Sequence, residues 1–307
     1  DDRALADAEQ ELKARPDSPD LRLLRANIFA SRGDKQAAAR EAALIARDSS
    51  KSDYAHVAAA LIYARLGMHK EAAEAFDRAL AISPEAYVYV NRALSRPRSD
   101  IAGKLADLDQ ALKLEPDNRE ALAAKARVLG RKGDYQAALQ LYEQAIKAPP
   151  IGDHFLSDRS IDHLALGQAE MLHKAGRTAQ AEQIFAEQRA KATTWGDFNG
   201  LCWRKATAGL MLESALADCR EALRLSPDNA AILDSLAMVL LKLGRLDEAL
   251  AAYDQAIARK NIASAFLGRA VVRARKGDMV RARADRAEAL RRDPQVEEHF
   301  AEYGVKL

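Results

Sequence analysis

Residues 118–150, NREALAAKARVLGRKGDYQAALQLYEQAIKAPP, decide the fold. Gly133 separates two helix-compatible runs, and the second run places Ala138, Tyr142 and Ala145 at offsets of four and three. Those offsets put all three side chains on one face of a helix. The two alanines let a neighbouring helix approach closely, and the ring between them fills the remaining gap. Pro150 then closes the unit, because proline suits the start of a helix and not its interior.

The same marks recur outward from this stretch. Turn glycines stand at Gly33, Gly67, Gly133, Gly176, Gly244 and Gly277. The first interval is 34 residues and the last 33, while intervals of 66 and 68 each span two units whose middle glycine is displaced or replaced. Only the 43 residues from Gly133 to Gly176 break the period. A small residue early in the second helix recurs as Ala38, Ala72, Ala138, Ala181, Ala215, Ala249 and Ala282. Four residues later comes a large one, at Phe76, Leu108, Tyr142, Phe185 and Tyr253. Three further on comes another small one, at Ala79, Ala111, Ala145, Ala222, Ala256 and Ala289. Pro84, Pro116, Pro150, Pro227 and Pro294 end five units.

The run Gly133-Asp134-Tyr135-x-x-Ala138-Leu139-x-x-Tyr142-x-x-Ala145, echoed by Gly244, Ala249, Leu250, Tyr253 and Ala256, resembles the tetratricopeptide repeat. The resemblance covers nearly the whole chain. It implies an all-α, right-handed superhelical solenoid of helix-turn-helix repeats that binds a protein or peptide in its concave groove. The expected organisation is an N-terminal sub-array over 1–150, made of a half-repeat and four repeats, then an irregular linker or insertion at 151–161. A C-terminal sub-array of four repeats follows over 162–294, with a capping helix and tail at 295–307. Two departures mark individual units. Lys104 stands where a small residue belongs, beside an irregular turn at Arg96-Pro97-Arg98-Ser99, and Arg286 stands at a large-residue position.

Composition narrows the function. Aromatic residues make up 6% of the chain, which suits closely packed helices better than strands. A formal charge of +2 gives no global reason to expect nucleic acid or a membrane as partner, and no apolar run is long enough to span a bilayer. No phosphate-binding glycine loop, HExxH or CxxC occurs, so neither catalytic nor metal-ligating residues are assigned, and no cofactor is expected. Residues 262–294 carry nine positive against four negative charges, yet lack the aromatics that would stack bases; no nucleic-acid partner is expected there.

A narrower resemblance rests on Phe198-Asn199-Gly200-Leu201-Cys202-Trp203, Ala215-Leu216-Ala217-Asp218-Cys219 and Ile232-Leu233-Asp234-Ser235. These are similar to the C-terminal repeat region of bacterial envelope proteins in which a transglutaminase-like domain precedes the repeats. That resemblance implies a periplasmic location and catalytic residues upstream of this chain. The chain starts at Asp1, and Ala4-Leu5-x-x-Ala8-x-x-x-Leu12 already reads as the second helix of a repeat. The expectation is a fragment or mature form of a longer protein, whose own upstream domain is a candidate partner.

The first helix of each pair lines the concave side of such an array. In this phase the groove candidates are Leu23, Asn27, Val57, Leu61, Val90, Leu94 and Arg127 in the first half. In the second half they are Leu166, Glu170, Asn199, Trp203, Asp234, Met238, Leu267 and Val271. Trp203 either anchors an apolar partner group or packs between repeats. Cys202 and Cys219, the two cysteines, fall on facing helices of one repeat. A bridge between them is expected in an oxidising compartment, worth about 3 kcal/mol. The alternative is a pair of buried free thiols.

Overall fold

A computed structural model describes residues 2–48, 51–149 and 162–307. Among the described residues the regular elements are 18 α-helices, and they pair as the spacing predicts. After α1 (Asp2–Ala14) come α2 (Pro19–Ser31) with α3 (Lys35–Asp48), and α4 (Asp53–Arg65) with α5 (His69–Ile82). Then follow α6 (Ala86–Ser95) with α7 (Ile101–Leu114), and α8 (Arg119–Lys132) with α9 (Tyr135–Lys147). Next are α10 (His163–Lys174) with α11 (Thr178–Lys191), and α12 (Trp195–Ala208) with α13 (Leu212–Leu225). The last pairs are α14 (Ala230–Lys242) with α15 (Leu246–Arg259), and α16 (Ala263–Arg275) with α17 (Met279–Arg292), followed by α18 (Val296–Glu302). The chain divides into two compact units, Asp1–Asp153 and His154–Leu307. The linker expected at 151–161 lies outside the described residues.

Local chemistry sets the helix ends. The Asn118 side chain accepts the Ala121 N–H at 2.9 Å and starts α8, and Asp134 accepts the Ala137 N–H at 3.2 Å to start α9. Between those helices Gly133 has φ of 92°, a left-handed conformation that a Cβ would strain. In the α12–α13 turn one more residue separates the glycine, Gly209, from the second helix, and Met211 there has φ of 49°. The irregular turn after α6 has a local cause: Pro97 forces Arg96 into extended backbone, which ends the helix at Ser95.

The small–large–small series forms the core of each pair. None of the seven early alanines is more than 4% exposed, and Phe76, Leu108, Tyr142, Phe185 and Tyr253 are buried between the helices. Where the series fails, polar chemistry replaces it. Lys104 is buried and donates to the Ala93 carbonyl at 2.6 Å; burial pushes its ammonium down to about 8, with the Arg131 charge adding to the fall. Arg286 turns outward to a two-point contact with Glu297 of α18, at 2.5 and 2.8 Å. Cys219, at a large-residue position, is bridged to Cys202 with their Cα atoms 5.3 Å apart. Part of the positive bias of 262–294 is met by carboxylates outside that stretch: Arg269 pairs with Asp254, Lys276 with Asp247 and Arg286 with Glu297.

Each unit has an inner layer, because first helices of neighbouring repeats touch one another: α2 with α4, α4 with α6 and α6 with α8, then α10 with α12, α12 with α14 and α14 with α16. The Tyr253 ring reaches from α15 to the backbone of the next first helix. A Cβ on Gly268 would lie 2.1 Å from that ring, so only glycine fits. Gly268→Ala is therefore expected to destabilise the second unit by about 1–3 kcal/mol. Thermal unfolding of Gly268→Ala, Tyr253→Leu and the double variant checks this; the double variant should lose less than the two single losses combined.

Candidate functional site

The inner layer of the second unit contains a cavity of about 470 Å³ among α12, α14, α16 and α18. Asn199 and Trp203 reach it from α12, Asp234 and Ser235 from α14, and Ser264 from the first turn of α16. Phe300 of α18 and Tyr303 just beyond it close the far wall. Their sequence explains the placement: Val296, Phe300 and Val305 are each 2% exposed, so α18 is held down by its apolar face and carries Tyr303 over the cavity. The Trp203 and Tyr303 rings meet edge to face, with centroids 5.5 Å apart and planes at 84°.

Its polar lining is Asn199, Asp234, Ser235, Ser264, Asp293 and His299. Asp234 is 7% exposed, and its Oδ2 accepts the Ser264 hydroxyl at 2.6 Å. Among the described residues no ion pair reaches it. Burial pushes its carboxyl up to about 6, and the Ser264 hydrogen bond opposes that rise. The Oδ1 of Asn199 is buried without a hydrogen-bond partner. So is the Tyr253 hydroxyl, whose ionisation is pushed well up, first by burial and then by the Asp234 charge. At the rim Asp293 lies 3.6 Å from His299.

Of the residues expected in the groove, Asn199, Trp203 and Asp234 meet in this cavity. Glu170 lies on the inner layer and is tied to Arg204, one repeat on, at 2.7 Å. In the first unit Leu61 and Leu94 are exposed, as is Arg127, while Leu23 is half-buried. Asn27 accepts from Arg65 at 2.9 Å. Val57 and Met238 require correction: at 4% and 1% exposure they belong to the core and cannot line a groove. Val90, Leu166, Leu267 and Val271 are buried in the same way. Each of the first helices carrying them packs against its own partner and against at least one neighbouring first helix, which leaves only a narrow stripe free. Sequence reasoning missed Ser264, Phe300 and Tyr303. The aromatic pair Phe300-x-x-Tyr303 at the chain's end was the available signal.

Among the described residues no cluster of three metal-ligating side chains occurs, and no helix is long and apolar enough to cross a membrane. Paired helices and an inner layer of first helices in each unit define an all-α repeat solenoid. The tetratricopeptide repeat family model matches residues 2–54, 105–152 and 235–297, more than half of the chain, and a second model of the same repeat matches 53–86. The chain belongs to the tetratricopeptide repeat family. No curated protein matches it.

Among solved structures, yeast Tom70 is similar at TM-score 0.61 and 17% identity, over 92% of this chain and 58% of Tom70. The chain thus spans little more than half of that relative. A tetratricopeptide repeat protein from Parabacteroides merdae is similar at TM-score 0.50 and 16% identity, over 93% of this chain and 98% of its own. Human IFIT1, solved as a dimer with m7Gppp-AAAA, is similar at TM-score 0.52 and 16% identity, over 99% of this chain and 76% of its own. At such identities the likeness concerns the fold alone.

The raised carboxyl of Asp234 makes the second unit's stability depend on pH. Its proton is held more tightly in the folded chain than in the unfolded one. That contribution is fully present below about 3.8 and is lost as the pH rises to about 6. Asp234→Asn keeps an acceptor for Ser264 and removes the titration. The variant is expected to gain on the parent across that window and hold its advantage above it, by up to about 3 kcal/mol. Thermal melts of both proteins from pH 4 to 8 check the sign; an advantage that shrinks as pH rises would contradict it.

Proposed function

We propose that this chain is a protein-interaction scaffold whose inner helices receive a peptide, a helix or a neighbouring domain. The observation that carries the reading is the cavity on the inner layer of the second unit, walled by Trp203 and Tyr303 and open to a ligand. An aromatic wall beside a few polar groups, one of them the unsatisfied Asn199 oxygen, is the kind of surface on which a few contacts supply most of the binding energy. In the first unit exposed Tyr54 and Tyr87 add to the inner surface, fixed by hydrogen bonds to Asp20 at 3.0 Å and Asp53 at 2.6 Å. Side chains already held in place lose little freedom on binding. A ribonucleotide ligand is not part of the proposal, since the cavity is lined by carboxylates and not by cations.

The Cys202–Cys219 bridge supports a location in an oxidising compartment such as the periplasm. The resemblance of the same segment to envelope proteins points the same way. A role as the positioning arm of a larger envelope enzyme, with a transglutaminase-like domain upstream, rests on that resemblance alone.

Two measurements test these readings. Peptides selected from a random library on the intact chain should protect first helices such as α12, α14 and α16 from hydrogen exchange. Protection confined to second helices such as α13, α15 and α17 would refute binding on the inner layer. Denatured, unreduced protein prepared from an oxidising compartment should show no titratable thiol; two free thiols would remove the argument about location.

A further inference from the structure

The scaffold reading leaves the chemistry of the ligand open, and the buried charges narrow it. Five carboxylates are buried among the described residues: Glu41, Asp107, Asp218, Asp234 and Asp285. Four of them sit on second helices, one residue before the large position of their repeat, and each is held by two cations. Glu41 has Arg25 at 2.7 Å and Arg22 at 3.6 Å, and Asp107 has Arg92 and Arg96, both at 2.6 Å. Asp218 has Lys205 at 2.6 Å and Arg189 at 2.7 Å, and Asp285 has Arg269 and Arg273, both at 2.7 Å. Asp234 alone sits on a first helix, at the wall of a cavity, and among the described residues no cation reaches it. Its partner is one serine hydroxyl, which donates to Oδ2.

We propose that the cavity receives a basic side chain, lysine or arginine, of a partner protein, with Asp234 as its counter-ion. The proposal rests on the scaffold reading and names the chemistry of its ligand. A buried carboxylate is tolerated when it is paired and hydrogen-bonded, and this protein supplies two cations wherever it buries one for structural reasons. At Asp234 the place of those cations is a cavity large enough for a long side chain. The surroundings suit a cation. Trp203 and Tyr303 offer ring surfaces that attract positive charge, and apolar methylene stems lie well against them. Asn199 brings a buried side-chain oxygen with no hydrogen-bond partner, and Asp293 adds a second carboxylate at the rim beside His299. An anionic ligand would face two carboxylates. An apolar one would drive water from Asp234 and leave its charge uncompensated.

Two arms test this on the intact chain. In the first, N-acetyl-lysine N-methylamide, its arginine counterpart and its uncharged norleucine counterpart are titrated while the Trp203 indole resonance is followed. Saturable shifts are expected with lysine or arginine, and at least tenfold weaker binding with norleucine. Asp234→Asn and Asn199→Leu should each weaken the cationic ligand at least tenfold, with helical content and a cooperative melt confirming that the variants fold. Norleucine binding equally well, or undiminished binding of the cation by a folded Asp234→Asn, overturns the inference. So does the absence of any saturable shift.

In the second arm, peptides selected on the chain are expected to share a basic residue and to lose affinity for Asp234→Asn. Selected peptides that bind both proteins equally overturn the pocket inference and leave the scaffold reading standing. Saturable binding of the lysine amide without any selectable peptide does the reverse.

Discussion

The close approach of the two helices within each repeat is the constraint on which the rest depends. Alanines at 38, 72, 138, 181, 215, 249 and 282 remove the side-chain bulk that would hold the helices apart. The large residue one turn later then has a defined gap to fill, and it is buried at every repeat that keeps it. Dispersion and burial on this scale are individually small, and they become decisive because the contact recurs at each step. Gly268 extends the same logic across the repeat boundary, where the Tyr253 ring leaves no space for a Cβ.

Repeats that depart from the pattern replace apolar filling with directed interactions. Lys104 finds a carbonyl, Cys219 a covalent partner, and Arg286 the Glu297 carboxylate on the terminal helix. The buried carboxylates at Glu41, Asp107, Asp218 and Asp285 belong to the same economy: each fixes the angle between two helices through cations on both oxygens, or close to them. Removing one partner from such a pair leaves a charge stranded in a dry setting, which costs far more than the pair contributes. Asp234 obeys a different rule. It ties α14 to Ser264 of α16 by one hydrogen bond, with no counter-ion among the described residues, beside a cavity walled by Trp203 and Tyr303. A buried carboxylate left without a counter-ion is the feature on which the proposed site rests.

The repeat phase, the helix pairs and the terminal helix were legible in the sequence, because a helix face and a turn glycine are local features that recur at fixed spacing. Asn199, Trp203 and Asp234 were legible as inner-layer residues for the same reason. Val57 and Met238 were misplaced by it. Helical periodicity tells which residues share a face, but not how much of that face a neighbouring helix covers. The cavity's far wall was invisible, since Phe300 and Tyr303 meet Trp203 only after about a hundred intervening residues have stacked into two further repeats.

The sequence by itself determined the class of fold, the number and phase of its helix pairs, and the nearness of Cys202 to Cys219 within one repeat. Each of these follows from spacing within a single repeat, where helix geometry and a short turn do the positioning; even Cys202 and Cys219 are only 17 residues apart. Only the tertiary structure decided which first-helix residues remain free, which carboxylates carry cations and which one does not. It also brought the aromatic end of the chain over Asp234. Those outcomes depend on how successive repeats turn against one another, and that rotation is set by the shapes of many side chains packed together, none of which announces it alone.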